Sequence, residues 1–370
     1  MSVRAALRGR IENELQPEAD GARWVAGIIG DRPSNYAKSP SLWNAAFQEL
    51  GVDAHFASFD VEPANLAGVV EALRGEESYV GGSVTVPYKV AILEHLDGVD
   101  PMAERIGAVN TLVREADGRI VGYNTDGQGG IDSLTVRLPG QSAAFLPKLE
   151  GARVILIGTG GAGRALAWYL REAIGAGGEM ILTNRDQEKG RELADAVDRV
   201  FGSTRCIPQE DLAEVIGEAD LIVNASTRGQ YGIRRLPGGR LTCLEGYSSL
   251  APAEPAEVDA AQPHAEARFH RLWLERTRED MARNHAISLA TVARAREGAA
   301  FFDAIYAPLE SEMLRHARLA GHPTLNGRGM NIAQAADAFA RRVMPRPLAR
   351  QGESVARLYE QAFEVMARVW

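Results

Sequence analysis

Lys89 ends residues 83–89 (SVTVPYK), a strand-like alternation that runs into a proline turn and delivers one ammonium group. Asp126 lies within residues 122–129 (GYNTDGQG), one carboxylate set among amide and hydroxyl side chains and glycines. Between them, residues 107–111 (GAVNT) carry Asn110. Taken singly, each is ordinary: a solvated surface lysine, a turn or cap aspartate. What raises them is that Thr85, Asn110 and Asp126 lie on separate segments at comparable points of one alternation. A lysine and an aspartate presented from strand ends suit proton transfer to an oxygen of a bound small molecule better than they suit packing.

A second constellation follows in residues 154–165 (VILIGTGGAGRA), an apolar run entering a glycine-rich turn and then a helix. Gly158, Gly160, Gly161 and Ala162 would let the backbone approach a pyrophosphate. The helix start would supply unpaired N–H groups and a favourable dipole. A lone glycine string is weak evidence and also fits a tight strand-to-helix turn; the strand before and helix after favour a dinucleotide site. The next strand ends in Asn184, Arg185 and Asp186. An acid at this point marks a free ribose 2′-hydroxyl and an arginine marks a phosphate, so Arg185 favours NADP, with NAD still possible. Asp186 either weakens that preference or caps the next helix. Proton-transfer groups and a dinucleotide site in one chain point to hydride transfer.

The elements that must position these groups fit an ordinary globular chain. Its 370 residues are 45% hydrophobic and 24% charged, room for two domains. A net charge of -8 argues against a nucleic-acid surface, and no apolar run approaches a membrane span. The first residues lack a secretory or transit pattern, and Cys206 and Cys243 read as reduced thiols, so a cytoplasmic protein is expected. Seven histidines lie scattered without ligand spacing, which predicts no metal site.

Residues 1–22 read as a short peripheral helix. From residue 24, strands alternate with helices, predicting a mainly parallel sheet with covered faces. The Asp-Gly in TLVREADGRIVGYNT predicts a hairpin. A second alternation runs from about 149 to 226. The pattern then blurs to about 299, with one or two amphipathic helices expected between 252 and 298. Residues 299–310 read as a buried strand and turn, and 326–343 as a glycine turn and an apolar helix.

Several blocks, in order and correctly spaced from Ala26 to about Phe339, resemble the shikimate dehydrogenase family. They are SPSLWN, SVTVPYK, GAVNT, GYNTDGQG, IGTGGAGRA, TNR, the strand ending NAS, DAIYAPLE and NGRGMNIAQAADAF. The resemblance implies that Lys89 and Asp126 are the catalytic pair and that Asn110 contacts substrate. It implies further that Thr85, Tyr306 and Gln334 line the substrate and that Ser39 is one of two serines holding its carboxylate. The chain departs from the family where the first serine is Ala37, an asparagine is Ser83, a leucine is Asn331 and a histidine is Trp43. The stretch from Asn224 to Tyr306 is also longer than usual.

The expected fold is therefore α/β in two domains with a cleft between them. Residues 1–130 with 326–370 would form a substrate domain. Residues 131–325 would form a Rossmann-type NADP domain with a helical insertion at about 252–298. The expected reaction is reversible reduction of 3-dehydroshikimate to shikimate. Ala37 and Ser83 keep open the same chemistry on quinate, aminoshikimate or another hydroxylated cyclic carboxylate. A non-catalytic binding protein of the same fold is a third reading, opposed by the retention of Lys89 and Asp126. The only partner expected beyond a small-molecule substrate is a second copy, paired through the helical arm as a homodimer.

Overall fold

A computed structural model describes residues 2–138, 141–236, 238–259, 265–348 and 354–370. The chain forms two compact units, Met1–Ala144 with Gly329–Trp370, and Phe145–Arg328.

The first unit opens with α1 (Val3–Leu7) and α2 (Glu18–Gly21), then alternates β1 (Trp24–Gly30), α3 (Ser39–Glu49), β2 (Ala54–Asp60), α4 (Leu66–Arg74) and β3 (Tyr79–Val84). Short α5 (Tyr88–Ala91), β4 (Gly98–Val99) and α6 (Pro101–Ile106) lead to β5 (Thr111–Arg114), β6 (Ile120–Tyr123) and α7 (Asp126–Thr135). Six strands make one sheet in the order β2-β1-β3-β5-β6-β4. β1 pairs in parallel with β2 and β3, but β5 runs antiparallel to both β3 and β6. The sheet is thus mainly parallel, as expected, with β5 the one strand running against the other five. The Asp117-Gly118 turn explains the change: Gly118 has φ +91 and Arg119 N–H donates to Asp117 Oδ1 at 3.1 Å, closing a hairpin.

The N-terminal segment is not peripheral. Val3 and Leu7 are fully buried, and Leu15 and Ala19 nearly so, in the cluster that also holds Leu66, Val69 and Leu73 of α4. Val3 and Leu7 stand four residues apart on one face of a five-residue helix, too short for a helical period to register in the sequence.

The second unit contains β7 (Arg153–Ile157), α8 (Gly161–Ile174), β8 (Glu179–Thr183), α9 (Gln187–Phe201), β9 (Thr204–Ile207), α10 (Leu212–Val215) and β10 (Leu221–Asn224). There follow β11 (Ile233–Leu236), β12 (Arg240–Cys243), β13 (Val258–Asp259), α11 (Ala265–Val292), β14 (Ala300–Asp303), α12 (Glu312–Leu319) and β15 (Thr324–Leu325). The main sheet has the order β15-β14-β10-β7-β8-β9, with every pairing parallel. From β7 the chain winds outward to β9, then returns to the other side of β7 as β10. That reversal makes a crevice at the strands' carboxyl ends, where open α/β sheets bind ligands.

The region where the sequence pattern blurs holds the small antiparallel sheet β11-β12-β13 and one long helix, α11. Phe269 and Trp273 of α11 pack with Leu241, Tyr247 and Val258, and its last residue, Val292, joins the cluster under the main sheet. Buried Asn284 holds the preceding loop: its Nδ2 donates to the carbonyls of Ser248, Ala251 and Pro252, and its Oδ1 accepts from Ser248 N–H at 2.9 Å. The added helix is therefore built into its own unit.

The chain ends in α13 (Arg328–Asp337), a π-helical stretch Ala338–Val343, α14 (Pro345–Leu348) and α15 (Val355–Val369). These cover the other face of the first unit's sheet. Phe339, Met344, Leu358 and Met366 share a cluster with Trp43, Phe47 and Phe56, and the Trp43 and Phe339 rings meet at 5.2 Å. A domain break at 130 would cut through α7, so the first unit extends to Ala144. Among the described residues no helix is long and apolar enough to cross a membrane.

Candidate active site

In the first unit the carboxyl ends of β1, β3 and β6 lie on the same edge of the sheet as the start of β5. Thr85 N–H donates to Ile29 O, and Val84 N–H donates to Asn110 O at 2.7 Å. Because β5 is antiparallel to both neighbours, Asn110 before β5 and Asp126 after β6 reach the same edge as Lys89 after β3. The mixed sheet gathers these residues.

Lys89, half-buried in α5, donates through Nζ to Asp126 Oδ2 as an ion pair. Asp126 is 4% exposed and is the first residue of α7, where the helix dipole favours a negative charge. Asn110 Nδ2 donates to Asp126 Oδ1 at 2.8 Å, and Asn124 Oδ1 accepts from the Asp126 N–H at 3.0 Å. Both carboxylate oxygens are thus held, and the lysine is aimed by one of them. An ammonium group in this setting can pass a proton to an oxygen brought within reach.

Asn110 is itself surrounded. Its Nδ2 also donates to Thr125 Oγ1 at 3.0 Å and Gln334 Oε1 at 3.3 Å, while its Oδ1 accepts from Thr125 N–H and Thr111 Oγ1. Thr125 Oγ1 donates to Gln334 O at 3.1 Å. Gln334 arrives from α13, and the approach is tight: a Cβ on Gly129 of α7 would stand 2.9 Å from Gln334 N and 3.1 Å from Met330 O. Lys89, Asn110, Asp126 and Gln334 are therefore one connected group. The Asn110 amide is fully engaged by protein, so a substrate contact through it requires Gln334 to yield.

Ser39 and Thr85 lie outside that network. Ser39, at the start of α3, is 5% exposed, and its hydroxyl has no partner among the described residues. The turn before it is pinned by Asp60, which accepts from Ser34 N–H and Oγ. Ala37 packs against the apolar cluster of α3. The Ser83 hydroxyl is buried without a partner among the described residues. Asn331 Oδ1 accepts from Trp370 Nε1 at 3.2 Å, so this departure ties the chain's last residue to α13.

In the second unit the turn after β7 fits a dinucleotide pyrophosphate. Gly158 has φ +97, and a Cβ there would stand 2.7 Å from Ser226 N; a Cβ on Gly163 would stand 2.1 Å from Gly158 O. A Cβ on Gly160 would meet nothing within 4 Å among the described residues, and the N-cap position of α8 is a glycine that makes no side-chain cap, which leaves the first N–H groups of the helix for a ligand. Gly161 and Ala162 form that first turn.

At the end of β8, Asp186 is the cap of α9: it accepts from Lys189 N–H and pairs with Lys189 Nζ at 3.1 Å. Its carboxyl is held below the usual range by that backbone bond first and by the lysine second. The aspartate is thus occupied structurally, while Arg185 is exposed and has no ion-pair partner among the described residues. Asn184 Nδ2 donates to Asp186 O at 2.9 Å. Arg228, in the loop after β10, is a cation that no local motif singles out. It donates to Ala251 O at 2.7 Å, and burial first, then the charge of Arg185, lowers it to about 10. Strand order is the only signal that could have found it, since β10, β7 and β8 are neighbours. Tyr306 lies half-buried in the turn after β14. Beneath it, fully buried Asp303 accepts from Asn224 Nδ2, Ile305 N–H and Ser311 Oγ.

Two family models match this chain. The family described as "Shikimate dehydrogenase substrate binding domain" matches residues 28–112, and "Shikimate / quinate 5-dehydrogenase" matches residues 141–236. The shikimate dehydrogenase (NADP(+)) of Shouchella clausii is 30% identical over 333 residues, covering 90% of this chain and 98% of that protein. Shikimate 5-dehydrogenase from Thermus thermophilus, solved with NADP(H) and shikimate, is 26% identical with a TM-score of 0.59, covering 92% of this chain and 99% of that one. Quinate dehydrogenase from Corynebacterium glutamicum, solved with NAD, is 25% identical with a TM-score of 0.61 over 92% of this chain and 99% of that one. The chain belongs to the shikimate dehydrogenase family and is an NAD(P)-dependent oxidoreductase of that family.

Proposed function

We propose that the protein catalyses the reversible, NADP-dependent reduction of 3-dehydroshikimate to shikimate. The observation that carries this reading is the Lys89–Asp126 ion pair locked to Asn110 and Gln334. Bound NADP would supply or accept the hydride. Oxidation of the ring alcohol removes a hydride from carbon and a proton from its hydroxyl; the neutral Lys89 amine takes that proton and, in reduction, the Lys89 ammonium returns it to the carbonyl oxygen. Asp126 holds Lys89 in place. Asn110 and Thr125 act one step back, fixing Asp126 and Gln334. Ser39 donates to the substrate carboxylate, and Thr85, Tyr306 and Gln334 line the ring. Gly158, Gly160, Gly161 and Ala162 receive the pyrophosphate, and Asn184 and Arg185 the adenosine ribose and its 2′-phosphate.

A second reading has specific support. Ala37 offers no hydroxyl where the resemblance expects one, and the Ser83 hydroxyl is buried without a partner among the described residues. Both favour a related cyclic hydroxyacid such as quinate or aminoshikimate with the same proton-transfer chemistry. Steady-state kinetics of the unaltered enzyme and of Ala37→Ser, with each acid and with NADP and NAD, separate the two. A hydroxyl bonded to a charged group contributes roughly 1.5–3 kcal/mol. On the first reading Ala37→Ser lowers the shikimate KM about tenfold or more while kcat barely moves, because the contact is made in both ground and transition states. Unchanged or worse shikimate kinetics, with faster turnover of another acid, would replace the first reading by the second.

A further inference from the structure

We propose that His285, Glu312 and His316 form a structural site for one divalent transition-metal ion of the zinc type, clamping α11 onto α12. One donor atom from each residue lies within 4.8 Å of the others, with His316 buried and the other two half-buried. Glu312 and His316 stand one helical turn apart on one face of α12. The His285 and His316 rings meet edge-on at 5.3 Å.

The hydrogen bonds around the rings argue for a ligand. Ser288 Oγ donates to Ser248 Oγ at 2.7 Å, so towards His316 Nδ1, 2.8 Å away, it accepts. The ring proton therefore sits on Nδ1, and the Nε2 lone pair faces Glu312 Oε2 at 3.7 Å. A carbonyl also only accepts, so the Gly246 O at 2.8 Å from His285 Nε2 puts that ring's proton on Nε2 and leaves the Nδ1 lone pair. Each ring donates one N–H to a fixed acceptor and keeps one lone pair, the arrangement of metal-binding histidines. Two lone pairs facing each other repel unless a cation lies between them.

Two imidazoles and a carboxylate suit zinc, with water completing four ligands from the exposed side. Donors about 2.0–2.1 Å from a tetrahedral ion stand about 3.4 Å apart, so the cluster contracts slightly on binding. Arg315, 3.7 Å from Glu312 Oε1, opposes the ion, but its side chain is largely exposed and screened. The ligands lie beside Asn284 and Ser288, which hold the 246–252 loop that receives Arg228. An ion here would fix the wall of the cofactor-proximal edge without touching reactants.

The test uses the full chain, stripped with a chelator and dialysed against zinc. Retention of about one ion per chain is expected, with a rise in thermal midpoint of about 5–10 °C at a hundredfold excess over Kd. His285→Gln should bind zinc at least tenfold more weakly and keep kcat within twofold at saturating substrates. Cobalt substitution of the unaltered protein should give visible ligand-field absorption and paramagnetically shifted ring N–H protons from two histidines. That spectrum decides even where His285→Gln folds poorly. No retained ion, no cobalt spectrum and an unchanged midpoint would overturn the site, as would zinc binding undiminished in His285→Gln.

Discussion

Replacing Lys89 with methionine keeps most of its volume and removes its charge. Asp126, 4% exposed, would then keep Asn110 and its helix position but lose the only cation paired with it among the described residues. Breaking a fully buried pair in this way costs about 3–5 kcal/mol. The Lys89 side chain is 18% exposed, so water reaches the ammonium end and about 2–3 kcal/mol is the fitting figure. In a unit of roughly 190 residues each kcal/mol moves the midpoint by about 2–4 °C, giving a loss of about 5–10 °C. Adding Asp126→Asn removes the stranded charge, while the amide oxygen still accepts from Asn110. The double variant should therefore regain most of the lost stability. Turnover should fall about a hundredfold or more in the single variant and stay low in the double, because the proton carrier is gone from both. Calorimetry and steady-state kinetics on the four proteins of the cycle measure both quantities. A Lys89→Met enzyme with turnover within tenfold of the unaltered one would refute the proton-transfer role. Additive stability effects would refute the claim that the two charges depend on each other.

Arg185→Ala should weaken NADP by roughly 1.5–3 kcal/mol and leave NAD much less affected, measured by titrating each cofactor. Equal weakening of both would make Arg185 structural and leave Arg228 to select the phosphate. Asp303 gives a pH dependence: burial raises its carboxyl to about 7 against an unfolded value near 3.8. The folded state then binds the proton more tightly, so the contribution is full below about 3.8 and lost as pH rises through 7. Asp303→Asn keeps an acceptor for Asn224 and Ile305 and offers a donor to Ser311 Oγ, so it should flatten that slope in denaturant unfolding between about pH 5 and 8. An unchanged slope would remove Asp303 as its source.

What could be read in advance was local. The glycine turn 158–163, the Asp117-Gly118 hairpin and the strands flanking them follow from contiguous residues whose backbone geometry or burial demands those types. Asn110 and Gln334, 224 positions apart, meet through topology alone, and no spacing rule links them. The same holds for His285 and His316: scattered in sequence, they predict no metal site, yet two packed helices bring them together with Glu312. Asp186 could be read two ways because a cap and a ribose ligand use the same side chain; only the Lys189 contacts decide. The strands β11 to β13 were invisible because two to four residues carry too little alternation to stand above the background. The α15 helix, whose buried face is Leu358, Ala362, Val365 and Met366, has a regular apolar period but no motif to draw the eye to it.

The return of α13 to α15 to the first unit has a consequence for synthesis. During translation β1 to β3 emerge long before Phe339, Met344, Leu358 and Met366, the side chains that cover one of their faces. The second unit is continuous in sequence and can collapse as soon as Arg328 clears the ribosome. The first unit cannot. Its nascent sheet must wait with Trp43, Phe47 and Phe56 uncovered, and its final closure joins segments separated by an entire folded unit. Once folded, that unit holds the separated segments as a tether of fixed span, replacing the entropy of a long flexible loop. The nascent chain should therefore engage chaperones through its earliest strands, and its last residues should release them.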